Sequence, residues 1–232
     1  MAGIAHTRTS IVKFVAHSRT VLSIALKYGW MPAARYTNLR DVRHLGSVGF
    51  LDIDWRNYSF NRHLDAVTSM RPLMTVARDI TNRKELDTIL HEASLLAKHT
   101  RHVVVVPKDP RLGTGLDKLI PPEFVLGYSV PTRYGATAIP PESFKGRVHL
   151  LGGRPDVQRH IADAMNVISA DCNRFTLDAT FGDYFDGVIF RPHPKGGYKR
   201  CLRDSILNIN RLWEHYKGGK ERSNGRLGRR IA

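Results

Sequence analysis

The feature that most constrains this chain is an alternation, repeated several times, of a short Val/Ile/Leu run with a stretch of helical spacing. Apolar runs at 48–55, 73–80, 102–108, 124–130, 148–152 and 167–173 are expected to be strands. They are apolar along most of their length rather than at every second residue, as strands buried on both faces must be. The run from Val103 to Val106 is the plainest of them. Helical patterns fill the intervals. Segment 85–99 places Leu86, Ile89, Leu90, Leu95 and Leu96 on one stripe, and 155–165 opens with Pro155, which a first helical turn accepts. Segment 201–216 spaces Leu202, Ile206, Ile209 and Trp213 by three or four. Segment 11–30 is expected to add a strand and a helix, although its periodicity is ambiguous.

Alternating strands and helices imply a parallel sheet. Six strands with one or two more near the N-terminus fit an α/β fold of the (β/α)8 TIM-barrel type, reduced or irregular in places. An open doubly wound sheet is the alternative. No Gly-x-Gly-x-x-Gly opens a helix after the first strand and no Walker lysine motif occurs, so dinucleotide and P-loop readings lose their main support. The 232 residues suffice for one such domain, 1–216, followed by a basic, Gly-rich tail, 217–232, expected to be disordered.

Charge narrows the partner. Lys and Arg number 36 against 21 acids, a net charge of +15. The tail carries six basic residues and one acid, so the body is strongly basic by itself. An excess of this size points to a polyanion. Cys172 and Cys201, the two cysteines, give neither a disulfide framework nor a zinc pattern, which suits a reducing compartment. No apolar run reaches the roughly 18 residues of a membrane span. Residues 1–10 lack the apolar segment of a signal peptide, so a cytoplasmic location is expected.

In a parallel barrel, chemistry gathers where the strands end. Asp52 and Asp54 close the first of the six runs, two residues apart and hence on one face. Asp79 closes the second, Lys108 and Asp109 follow the third, Tyr128 and Ser129 the fourth, and Asp171 with Asn173 the last. Singly, each Asp also reads as a helix cap or turn former. Together they suggest a shared acidic pocket inside a basic protein. There the carboxylates can serve as nucleophile, as general acid/base, or as acceptors for the paired N–H donors of a guanine-like ring. Two rival readings remain. One is a two-metal nuclease or phosphoesterase, to which His149, His160 or His193 could contribute. The other is a nucleic-acid-binding barrel without catalysis.

The most distinctive segment is His149-Leu150-Leu151-Gly152-Gly153-Arg154-Pro155-Asp156, a strand running through two glycines into a helix. With Ser169-Ala170-Asp171-Cys172-Asn173-Arg174 one helix later, it resembles the tRNA-guanine transglycosylase superfamily. Phe124 to Val130 is similar to that family's glycine-bearing base-contacting strand, Met74 to Asp79 to its base-recognising strand, and Asp54 stands where the family has Asp-Ser-Gly-Gly-Phe. The resemblance spans about 50–174. It implies that Asp171 is a nucleophile and that Asp54, or Asp52 in its place, handles protons. Base contacts would come from Asp52, Asp79, Lys108, Asp109, Gly127, Tyr128, Ser129, Gly152, Gly153 and Asn173. The Ser-Gly-Gly is absent, and two cysteines cannot build the family's zinc site. The likeness is therefore to the short, DNA-acting branch found in bacteriophages, which exchanges guanine for a 7-deazaguanine such as preQ0. No cofactor and no metal are called for. The partners implied are DNA and the free base, with a homodimer compatible because superfamily members often dimerise. The location would be host cytoplasm. Arg154, Arg174, Lys195, Lys199 and Arg200 are the expected nucleic-acid contacts, the last three in a segment, 193–201, with no counterpart in the tRNA enzymes.

Overall fold

The computed structural model describes residues 11–132 and 135–218. Eight parallel strands close a barrel in sequence order: β1 (Val12–Val15), β2 (Met31–Arg35), β3 (Phe50–Asp52), β4 (Met74–Val76), β5 (His102–Val105), β6 (Val125–Ser129), β7 (Arg147–Leu151) and β8 (Asn166–Asp171), with β8 pairing back onto β1. This is the TIM-type (β/α)8 fold that the alternation predicts. Outside it lie α1 (Arg19–Leu26), α2 (Phe60–Met70), α3 (Leu86–Leu96), α4 (Leu116–Leu119), α5 (Pro155–Ile161) and α6 (Arg174–Thr180). The irregularity is local. Among the described residues, the connection between β2 and β3 has only the 3-10 turn Arg43–Leu45, and that between β6 and β7 only Pro141–Ser143.

After α6 the chain makes an antiparallel hairpin, β9 (Asp183–Phe185) with β10 (Phe190–Pro192), then α7 (Tyr198–Trp213), which packs on α1, α6 and β9. The hairpin is absent from the sequence reading. So is the position of β2, whose Met-Pro-Ala-Ala-Arg carries no β-branched residue and gives no strand signal. The segment 193–201 is not wholly a loop: its last four residues form the first turn of α7. The expected tail beyond 218 lies outside the described residues. Among the described residues, no helix is long and apolar enough to cross a membrane.

The barrel interior is aromatic. Phe14 of β1 and Phe50 of β3 stack at 5.5 Å, and the His149 imidazole of β7 packs on both, 5.9 Å from Phe14 and 4.8 Å from Phe50. Ser169 of β8 reaches His149 Nδ1 at 2.8 Å and Met74 Sδ of β4 at 3.8 Å. Five strands thus meet at one buried layer, a filled core rather than a pore. Because strand side chains alternate, residues two positions further along emerge above this layer at the strand C-terminal end. Asp52 follows Phe50 in this way, and Asp171 follows Ser169. Arg35 is the β2 partner of Asp52.

Candidate active site

Asp171 is held by one backbone donor, and the buried His149 Nε2 beside it makes no hydrogen bond. The Asp171 Oδ1 accepts the Gly152 N–H at 3.0 Å, and His149 Nε2 lies 3.4 Å away. A charge-assisted hydrogen bond of this kind contributes about 1.5–3 kcal/mol. The two glycines make it geometrically available. Gly152 and Gly153 both have positive φ, 62° and 87°, and a Cβ on Gly153 would stand 2.3 Å from Val130 Cγ1. Gln158 Nε2 braces the turn by donating to both Gly152 O and Asp171 O, each at 2.7 Å. The Gly-Gly segment is therefore a device that aims a backbone N–H at the Asp171 carboxylate. Beneath it, burial pushes the Cys172 thiol up to about 12, a neutral packing group.

Asp52 faces Asp171 across the mouth. Burial, first, and the nearby Asp171 charge, second, push the Asp52 carboxyl up to about 7, with Asp79 adding to the effect. The Ile53 N–H, at 2.8 Å, and the Arg35 guanidinium oppose it. A carboxyl poised near neutrality beside a second carboxylate is the arrangement by which sites divide acid and base roles. Asp54 is placed differently. It lies past the strand, and its Oδ1 accepts the Arg56 N–H at 3.3 Å as a turn former. Asp52 rather than Asp54 is thus brought to the nucleophile candidate.

Asp79 pairs through Oδ2 with Lys108 Nζ at 2.6 Å. It lines a cavity of about 510 Å³ with Ile53, Trp55, Tyr58, Phe60 and Glu85. The loop carrying Trp55 is clamped by Tyr36, whose hydroxyl donates to Asn57 O at 3.1 Å and accepts the Ser59 N–H at 2.9 Å. Below it runs a relay from Tyr58 through buried His63 to Thr75. Thr75 donates to Leu51 O, so His63 Nε2 carries the ring proton and Nδ1 accepts from Tyr58. Burial alone pushes His63 down to about 4, which keeps it neutral.

Several expected contacts are not brought to this mouth. Gly127 pairs with His149 and faces inward, where a Cβ would meet Val106 Cγ2 at 2.6 Å; the residue makes room for core valines. Tyr128, one position on, therefore points outward and packs edge-on against Phe144 at 5.2 Å, so it is no stacking platform for a base. Asp109 is fully engaged in structure. It accepts the Arg83 N–H at 2.7 Å and the Arg111 N–H at 3.0 Å and pairs with the Arg111 guanidinium, contacts that hold its carboxyl well below the usual range. Two others do reach the mouth: Asn173 lines the cavity that Asp52 lines, its Oδ1 accepting the Ala16 N–H at 2.9 Å, and Ser129 shares the inward parity of Gly127, its N–H donating to Thr137 Oγ1 at 3.0 Å. Arg154 pairs with Asp156, and Arg174 pairs with Asp178. Lys195, Lys199 and Arg200 line a separate cleft between α1 and α7.

Of the histidines named above, His193 is bound to Asp204 at 2.9 Å. Among the described residues no cluster of three or more His, Cys, Asp or Glu could hold a metal ion. The reading from sequence missed Gln158, Arg35 and the contact of His149 with Asp171. His149 stands two residues before Leu151 in a strand, where only the barrel's closure reveals what it faces.

Comparison with known proteins agrees with the architecture. The barrel superposes on a crystal structure of the YdjI aldolase from Escherichia coli K12 with a TM-score of 0.57, over 93% of this chain and 95% of that one, at 9% sequence identity. At that identity the likeness is one of fold. No curated protein matches the sequence significantly. A family model described as a family of unknown function, DUF6610, matches residues 25–214, and the chain belongs to that family.

Proposed function

We propose that this protein is a base-exchange glycosyltransferase that replaces guanine in DNA with a 7-deazaguanine through a covalent Asp171–deoxyribose intermediate. One observation carries the reading: Asp52 and Asp171 oppose each other above the aromatic layer, one with its proton held to about pH 7 and the other oriented by Gly152. In the first step the Asp171 carboxylate forms an ester to C1′ as the glycosidic C–N bond breaks, and the departing guanine takes the Asp52 proton. In the second step the entering base gives its ring N–H proton to Asp52, and its nitrogen displaces Asp171 from C1′. The exchange is balanced without ATP or an external oxidant. The Asp79 oxygen not used by Lys108 can accept from the guanine N1–H and exocyclic amine, and Trp55, 57% exposed, offers a ring for stacking. The target base must be single-stranded or flipped, at a cost of a few kcal/mol.

The test is exchange of labelled guanine or preQ0 into a single-stranded oligonucleotide, with a denaturation-resistant protein–DNA adduct as second readout. Asp171→Asn should abolish the adduct and lower exchange by ~10³-fold or more. Exchange at the wild-type rate in that variant would overturn the mechanism.

A further inference from the structure

We infer that the side of the mouth formed by the β1–α1 and β2–β3 loops is a phosphodiester-binding groove, placed to hold the backbone of single-stranded nucleic acid beside the reacting carboxylates. This rests on the reading above for its ligand, but not on the chemistry at Asp171. Two cavities of about 450 and 400 Å³ lie here and share Asn38 and Arg40 as lining residues. Four guanidinium groups, Arg19, Arg35, Arg40 and Arg43, line them, and the inner one also reaches Asp52 and Asn173. The acids are few: Asp41 pairs with Arg40 at 3.1 Å and stands 4.0 Å from Arg19, and Asp52 keeps its proton to about 7. The groove is net cationic with every formal cation an arginine, the side chain whose planar fork matches phosphate oxygens.

The loop is built rather than loose. Asn38 N–H bonds Arg35 O at 2.9 Å, Arg43 N–H bonds Leu39 O at 3.1 Å, and Val42, 1% exposed, anchors the turn between Arg40 and Arg43. Around the rim, Asp52 on β3 stands between this groove and the Trp55–Asp79 cavity. A nucleotide has the same order, with its sugar between phosphate and base. Phosphate on the arginines would bring the sugar over Asp52 and Asp171 and the base into the aromatic cavity.

The experiment measures binding of a (dT)12 strand by fluorescence anisotropy over a salt series. The full chain is compared with Arg40→Glu/Arg43→Glu and with Lys195→Glu/Lys199→Glu, all folded by thermal melt. If the arginine pair contacts phosphates, its reversal weakens binding at least tenfold at 0.1 M salt. It also lowers the slope of log K against log salt by about 1.4, from roughly 0.7 per phosphate on single strands. The lysine reversal should change affinity less than threefold. Unchanged affinity and slope in the arginine variant, with loss in the lysine variant, overturns the groove and leaves the nucleic-acid reading standing. No oligonucleotide binding by the parent chain overturns both. Inorganic pyrophosphate binding as tightly as the strand would mark a free-polyphosphate site and also overturn the groove. Arginine-dependent binding without base exchange would keep the groove and sink the transglycosylase reading.

Discussion

The two halves of the barrel mouth are made of opposite chemistry. From β1 to the β2–β3 loop the rim presents Arg19, Arg35, Arg40 and Arg43; from the loop after β3 to β5 it presents Asp79, Trp55, Tyr58 and Phe60, with Arg78 and Lys108 each paired to acids and Asp52 at the boundary. They also differ in how they are fixed. The arginine side is mostly the β2–β3 loop, held by backbone bonds and the buried Val42 and Val48. The acidic side is braced by buried side-chain contacts, including the Tyr36 clamp, the Tyr58–His63–Thr75 relay and the Asp109 bonds to Arg83 and Arg111. The difference teaches that phosphate holding tolerates mobile, solvated cations, whereas proton transfer and ring recognition need groups set to a fraction of an ångström.

That division yields tests of descending size. Asp52→Asn should lower base exchange by ~10²-fold or more while oligonucleotide affinity stays within twofold. The same variant reports on stability. Folded Asp52 keeps its proton to about 7, while in the unfolded chain it loses it near ~3.9. The parent protein therefore loses stability as pH rises from the lower value to the higher, and the variant should not. A gain of about 4 kcal/mol at pH 8 with almost none at pH 4, read from melting curves, is expected. Equal melting curves at both pH values would show that the acidic half is not poised as described.

Gly153→Ala should cost about 3 kcal/mol in denaturant unfolding, from a left-handed backbone plus the clash with Val130. If it also releases Gly152 from Asp171, exchange should fall while the salt slope of binding is unchanged. Trp55→Ala should weaken binding of guanine-containing strands by about 1–2 kcal/mol through lost stacking, with no change in salt slope. A change in slope would mean that the aromatic wall also orders the phosphate side. Smallest is Arg174→Ala. Its two-point i,i+4 pair covers Asp178, whose side chain is 8% exposed, so stability should fall by about 1 kcal/mol and binding should not move. A tenfold loss of affinity there would extend the phosphate surface beyond the groove.

Much of the fold is legible because strand burial is a local property. Runs such as Val103 to Val106 announce strands wherever they sit, and Pro155 and Gly152-Gly153 mark the turn between β7 and α5. β2 is illegible because alanines and a proline carry no strand preference. The hairpin of β9 and β10 is illegible because its strands are three residues each. At the site, Asp171 and Asp79 can be read as strand-end acids. That Asp109 is a structural clamp, and that Tyr128 points outward, cannot be read from their positions alone.

The sequence by itself determined the alternation, the parallel barrel and the set of carboxylates delivered to one end of it, since these follow from burial pattern and strand parity. Only the tertiary structure decided which carboxylates meet. Closing β8 onto β1 sets Asp171 beside Phe14, and the register of β2 with β3 sets Arg35 beside Asp52. The physical reason is that proton affinity and charge complementarity depend on through-space distance, and in a closed barrel those distances join residues more than a hundred positions apart.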